Sequence, residues 1–309
     1  MNIVFMGTPA FAVPSLRMLI NEGHHVVAVV TQPDRPQGRK KILMPTPVKE
    51  VALEYGIPVL QPQRMRSPEA VEELASYKPD LIVTAAYGQI LPKSVLDMPM
   101  LGCVNVHGSL LPKYRGGAPI QRAIINGESK TGITLMYMAE GLDTGDMIAQ
   151  AELQIGEEDT SGTIFEKLSV VGAELLQEQL PRLMAGPVQA TPQQEEEATY
   201  SPNLKREDEK LDFARSSREL YNQIRGLVPF SGAFALWKDE VFKVWAARID
   251  SSSSDALPGT VLDLTAEGIK VKTGDGALLL TKVQPSGKKA MEADEFIRGR
   301  SMEPGTVLL

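Results

Sequence analysis

Short apolar runs alternate with stretches of helical spacing through the first half of the chain. Ile3-Val4-Phe5-Met6 is unbroken and is bounded by Gly7-Thr8-Pro9, as a strand buried on both faces requires. Phe11, Val13, Leu16, Leu19 and Ile20 then recur on one helix face, Gly23 ends that helix, and His25 to Val30 is a second apolar run. The repeat is βαβ, the start of a parallel sheet. The same alternation predicts a helix over 48–55, a brief strand at Val59-Leu60, a helix over 68–77 and an interior strand over 80–84. It continues with strands over 103–107 and 132–138, a helix over 118–126 and a long closing helix over 157–185. In that last helix Ile164, Leu168, Val171, Leu175 and Leu176 form one stripe, which is core packing rather than a cofactor site.

The pattern changes after this helix. Residues 186–208 are rich in Pro, Gln and Glu, which marks a linker along the surface, with Glu195-Glu196-Glu197 as a solvated stretch. Beyond it, Leu220, Ile224 and Leu227 share a helix face capped by Ser216 or Ser217. Short strands follow over 232–237, 241–249, 260–264, 268–273 and 277–283, the pattern of a small, OB-like β-barrel. The expected fold is α/β: a Rossmann-like, mainly parallel domain over 1–189, a linker over 190–208 and a barrel over 209–309.

Composition narrows the function classes. The chain has 309 residues, 43% hydrophobic and 23% charged, ordinary values for a globular protein. A single cysteine, Cys103, excludes an intramolecular disulfide and a cysteine-rich metal site, and no metal is expected. Residues 1–7 show no signal-peptide pattern and no apolar run is long enough for a membrane helix, so a cytoplasmic, membrane-free location and a monomer are the expectations. No GxGxxG follows the first strand, which argues against a dinucleotide site. The net charge of −7 disfavours a nucleic-acid partner unless cations cluster locally. They do so in 33–47, an irregular basic loop carrying Arg35, Arg39, Lys40 and Lys41. Lys205 is a further candidate phosphate contact, and Lys270, Lys272, Lys282, Lys288 and Lys289 are candidates for a basic face on the barrel.

The residues 101–146 concentrate the candidate chemistry. Asn105 and His107 stand two apart on one strand and so project to one face. Asp143 lies in the turn Gly141-Leu-Asp-Thr-Gly-Asp146. Singly, a strand-end histidine or a turn aspartate is more often structural. Together, a neutral donor, a proton carrier and a carboxylate suit acyl transfer without a covalent intermediate, with an oxyanion stabilised by the donors.

These residues also carry a resemblance. Asn105-Val-His-Gly-Ser-Leu-Leu-Pro112, Tyr114-Arg-Gly-Gly-Ala-Pro-Ile-Gln-Arg122 and Leu142-Asp-Thr-Gly-Asp146 resemble the 10-formyltetrahydrofolate-dependent formyltransferases. Met6 to Pro14, Thr31 to Lys41 and Gln284 to Met291 resemble the branch of that family that acts on methionyl-tRNA. The resemblance implies formyl transfer from 10-formyltetrahydrofolate to the α-amine of initiator methionyl-tRNA, with Asn105, His107 and Asp143 catalytic. It further implies that Gly88, Gln89, Ile90 and Leu91, together with Ser109, Leu110, Leu111 and Pro112, hold the folate. The basic loop would contact the tRNA acceptor stem, with Arg39 foremost, joined by Lys40, Lys41, Lys205, Lys288 and Lys289. Amino-sugar and purine-pathway formyltransferases share this core. A non-catalytic RNA-binding protein on an inactive core would share it too, although the intact trio argues against one. A folate hydrolase would differ in passing the formyl group to water rather than to an amine.

Overall fold

The computed structural model describes residues 1–37, 41–299 and 302–309. The chain divides into two compact units, one of residues 1–119, 130–154 and 165–202, the other of 120–129, 155–164 and 203–309.

The first unit is built on a seven-stranded sheet. In chain order its elements are β1 (Ile3–Gly7), α1 (Val13–Asn21), β2 (Val26–Val30), β3 (Arg35–Gln37), β4 (Ile42–Met44), α2 (Pro47–Glu54), β5 (Val59–Leu60), α3 (Pro68–Ser76), β6 (Leu81–Ala85), α4 (Lys93–Leu96) and β7 (Cys103–His107). The helix α5 (Pro119–Ile125) belongs almost wholly to the second unit, and β8 (Lys130–Tyr137), β9 (Met147–Gln154) and most of α6 (Ser161–Ala185) complete the first. The strand order is β5-β2-β1-β6-β7-β8-β9, parallel through β7 and antiparallel beyond it. This is the mainly parallel, Rossmann-like sheet expected from the apolar runs.

Both faces of the sheet are covered, which is why its central strands lack polar alternation. Val4, Met6, Ala28, Val30, Ile82 and Cys103 pack with Ala70 and Leu74 of α3 and Val95 of α4. The alternate residues Ile3 and Phe5 are equally buried. Each such fully buried aliphatic side chain contributes about 1.5–3 kcal/mol. On α6, Gly172 lets the helix approach β7: a Cβ there would stand 2.7 Å from Val106 Cγ1. Helix starts follow capping chemistry, with Thr46 accepting from Lys49 N at 3.1 Å and Ser67 from Ala70 N at 3.3 Å, each followed by proline.

Three expectations need correction. Residues 33–47 are not wholly irregular, because Arg35–Gln37 pairs antiparallel with Ile42–Met44. Proline and charge mask that pairing in the sequence. Strand β9 has no counterpart among the predicted strands; it is an edge strand with half-exposed alternation, so its apolar signal is weak. The closing helix begins at Ser161 rather than 157, because Asp159 Oδ2 accepts from Gly156 N at 2.8 Å and holds 156–159 as a turn.

The second unit contains α7 (Arg206–Glu209), α8 (Ser217–Leu227), β10 (Ala233–Trp237), β11 (Glu240–Asp250), β12 (Val261–Thr265), β13 (Gly268–Lys272), β14 (Ala277–Gln284), β15 (Met291–Glu292) and α9 (Ala293–Arg298). Ser216 and Glu219 form a capping box on α8. Its strands are antiparallel in the order β10-β11-β14-β13-β12, with β15 on β14. Leu220, Ile224 and Leu227 of α8 fill its core with Phe242, Leu278, Leu280 and Phe296. The last residues join both sheet edges: Leu309 exchanges hydrogen bonds with Leu236 on β10, while Val307 bridges Thr260 beside β12. The sheet is thereby closed into a barrel, as the spacing of short strands predicted. Among the described residues no helix is long and apolar enough to cross a membrane.

Candidate active site

Asn105 and His107 lie near and at the carboxyl end of β7, where the sheet turns from parallel to antiparallel pairing. Crevices beyond the carboxyl ends of strands are where open α/β sheets bind ligands. Thr84 of β6, opposite Asn105 in the register, donates to Asn105 Oδ1 at 2.8 Å. That bond fixes the amide with Nδ2 as its outward donor, and among the described residues Nδ2 has no hydrogen-bond partner.

His107 is buried, with Nε2 3.1 Å from the Tyr114 carbonyl oxygen. A carbonyl only accepts, so Nε2 carries the hydrogen. Nδ1 then faces Asp143 Oδ2 at 3.7 Å. In the neutral ring that nitrogen is a lone pair pointed at a carboxylate; a proton taken up there makes an imidazolium–carboxylate pair. Asp143 Oδ2 also accepts from Gly116 N at 2.8 Å. The three predicted catalytic residues thus sit on one strand end and the loop after β8, and the loop after β7 bonds to both His107 and Asp143. His107 Nδ1 and Asp143 Oδ2 face each other, and Asn105 Nδ2 is left as a donor without a partner among the described residues.

Both loops are locked. Thr134 of β8, fully buried, donates to Ser109 O at 2.7 Å and accepts from Leu111 N at 3.0 Å. Gln150 of β9 donates to Leu111 O at 2.8 Å and to Thr134 at 2.9 Å. The Leu111–Pro112 peptide is cis. In the other loop Gly145 has no room for a side chain, since a Cβ would lie 1.7 Å from Tyr137 O. Asp143 itself takes a left-handed backbone, φ +50°.

The residues expected to hold folate fall into two groups. In 85–92, Gly88 has φ +87° and is exposed, and Ile90 is 83% exposed. Among the described residues the backbone groups of Gly88, Ile90 and Leu91 have no intramolecular hydrogen bond. The Leu91 side chain is buried, and Gln89 is turned inward, accepting from Met65 N at 2.7 Å and donating to Pro62 O at 3.0 Å. Tyr87, in the same loop, is buried with no partner for its hydroxyl among the described residues, and burial pushes its ionisation up to about 12. In the second group, Ser109 and Leu111 are buried and Ser109 Oγ donates to Lys113 O at 2.7 Å, while Leu110 packs near Gly132. These side chains shape the loop rather than face outward.

The cations expected to meet tRNA are scattered in circumstance. Arg39 and Lys40 lie outside the described residues. Lys41 is exposed with φ +49°, and the neighbouring Ile42, Leu43 and Met44 are exposed as well. Lys205 is exposed and 3.7 Å from Glu207. Lys288 and Lys289 are exposed on a turn held by Gln284, whose Nε2 donates to Lys288 O at 2.8 Å. The basic face imagined for the barrel is partly neutralised: Lys270 pairs with Asp250 at 3.1 Å and Lys282 stands 4.0 Å from Glu292.

Two structural residues escaped the motif logic. Arg115 is only 1% exposed and pairs with Glu195 at 2.9 Å, so the acidic run is more than a solvated stretch. Gln193 lies in a low-complexity stretch that offers no signal, yet it bonds the Asp143 loop and Arg115.

An amide, an imidazole and a carboxylate gathered beyond one strand end of a Rossmann-like sheet suit acyl transfer, and the chain belongs to the formyl transferase family. Residues 1–180 match the family model described as Formyl transferase, and 203–301 match Formyl transferase, C-terminal domain. Within that family its relatives include the methionyl-tRNA formyltransferase of Bacillus subtilis (strain 168), 56% identical over 308 residues, 99% of this chain and 97% of that protein. That of Geobacillus thermodenitrificans (strain NG80-2) is 54% identical over 299 residues, covering 96% and 94%. Among solved structures, HypX from Aquifex aeolicus in complex with tetrahydrofolic acid shares the fold at 20% identity and TM-score 0.65, over 96% of this chain and 46% of that one. The sugar 3N-formyl transferase WlaRD shares it at 18% identity and TM-score 0.67, over 94% and 99%.

Proposed function

We propose that this chain transfers the formyl group of 10-formyltetrahydrofolate to the α-amine of initiator methionyl-tRNA in the cytoplasm. Residues 1–189 are the catalytic domain, 190–208 the linker and 209–309 the tRNA-binding barrel. The observation that carries the reading is the pairing of Asp143 Oδ2 with His107 Nδ1 at 3.7 Å beside the open amide donor of Asn105. The full-length similarity to methionyl-tRNA formyltransferases supports the choice of acceptor.

The folate donor supplies an activated formyl carbon. The amine forms a bond to that carbon, the bond from the carbon to N10 breaks, and N10 leaves with a proton. Asn105 Nδ2 donates to the formyl oxygen as charge gathers on it, a contact that counts most at about 2.7–3.1 Å. Asp143, oriented by Gly116 N–H, draws the proton from the attacking amine, with His107 Nδ1 as the adjoining site. Gly88, Ile90 and Leu91 offer backbone groups to the pterin edge. The loop carrying Arg39, Lys40 and Lys41, with Lys205, Lys288 and Lys289, offers positive charge to phosphates.

The test is a transfer assay with labelled 10-formyltetrahydrofolate, offering methionyl-tRNA, uncharged tRNA and an amino sugar in parallel. Formylation of methionyl-tRNA alone is expected, with Asp143→Asn slower by about 10²–10⁴-fold. Transfer only to the sugar overturns the acceptor, loss of formate to water indicates a hydrolase, and undiminished turnover of Asp143→Asn overturns the site.

A further inference from the structure

The stretch that composition marks as a linker forms a wall of the site. Thr199 O accepts from Arg115 N at 2.9 Å, and Ser201 N donates to Arg115 O at 2.7 Å. Thr199 Oγ1 accepts from Tyr114 N at 2.9 Å, and Ser201 Oγ lies 3.1 Å from the Tyr114 carbonyl that His107 Nε2 engages. Residues 114–115 are therefore held from outside by 199–201.

Gln193 connects this wall to the other catalytic loop. Its Nε2 donates to Asp143 O at 2.7 Å and to Gly145 O at 2.8 Å, and its Oε1 accepts from Arg115 Nε at 3.0 Å. All the hydrogens of the amide are used, and a flipped amide would set an oxygen against two carbonyls, so its orientation is fixed. One side chain thus ties the backbone of Asp143 to the residue preceding Gly116, whose N–H holds the Asp143 carboxylate. Asp143 has a left-handed backbone, φ +50°, and the Gln193 bond to its carbonyl holds that turn from outside the loop.

We propose that Gln193 is a positioning residue for formyl transfer, setting the placement of Asp143 against His107 from outside both loops. The inference rests on the reading of Asp143 as a reacting group. Misplacing such a group by about 1 Å costs on the order of 10²-fold in rate.

The test compares Gln193→Ala and Gln193→Glu in the full chain, each alone and with Asp143→Ala. Glutamate keeps the length and the acceptor toward Arg115 but loses both donors. Expected are a 10- to 100-fold fall in kcat for both single variants, on the order set by such misplacement, with KM values for donor and acceptor within about twofold. In the Asp143→Ala background the Gln193 effect should shrink to within about twofold, as coupled residues require. Parental kcat in either single variant, with Asp143→Ala impaired, overturns this inference alone. So does an equal fold loss in both backgrounds, which would mean a structural role independent of Asp143. Parental kcat in Asp143→Ala removes the reading beneath it as well.

Discussion

Two loops leave carboxyl ends of parallel strands and are built in opposite ways. After β7, residues 109–116 are tied at nearly every step: Ser109 and Leu111 to Thr134, Tyr114 to Thr199, Arg115 to Glu195, Gly116 to Asp143. After β2, the side-chain ties of the described residues in the 31–46 segment gather at its root, in Thr31–Thr46 at 2.7 Å, Lys49–Asp34 at 2.6 Å and Gln61–Asp34 at 2.7 Å, with the β3–β4 pairing beyond. Beyond that root its apolar residues Ile42 and Leu43 are 57% and 62% exposed. Group transfer demands donors fixed to a fraction of an ångström, whereas grip on a large, charged acceptor demands reach. On the proposed function, the difference in hydrogen bonding between the two loops matches these two demands.

The comparison breaks first at Gly145. Gly145→Ala places a methyl on Tyr137 O, so the loop after β8, whose Asp143 carboxylate holds Gly116 of the tight loop, has to open. Turnover should drop by about 10²-fold or more, with a smaller fall in melting temperature. Unchanged kcat would mean that the tight loop need not be tight. The next test neutralises Arg39, Lys40 and Lys41 together. Acceptor KM should rise about tenfold at low salt, and the slope of log KM against log salt should flatten by about 0.9 for each lost phosphate contact. Folate KM and melting temperature should stay put. If folate KM moves equally, the two loops are one functional unit and the contrast fails.

The smallest effect concerns the root of the arm. The Lys49 ammonium, then the Gln61 amide, hold the Asp34 carboxyl below its ordinary range. A lowered folded value means this contribution is present above the unfolded pKa of about 3.9 and is lost as pH falls through the folded one. Melting curves from pH 6 to 3 should therefore converge for parent and Asp34→Asn at the acid end. A gap that is constant over that range would show that the carboxylate charge does no anchoring.

Much of this was legible in the chain, for physical reasons. The central strands are buried on both faces and so announce themselves as apolar runs, and Asn105 and His107 follow from strand alternation. Asp143 was readable because its turn is written in glycines. Gln193 and Arg115 were not, because their meaning lies in partners 78 residues apart in sequence. Strand β9 hid because an edge strand needs little apolar signal. The β3–β4 pairing hid among prolines and charges.

Cys103 has a practical side. It is the only cysteine of the chain, it is buried on β7, and burial pushes its thiol up to about 12. Thiolate is the reactive form, so this sulfur is silent toward maleimides and similar reagents at neutral pH. A cysteine introduced at Lys41 would then be the one site that takes a fluorophore or spin label, in an otherwise native chain. Such a label reports on this loop when methionyl-tRNA is added, and a signal unchanged by it would count against the proposed contact.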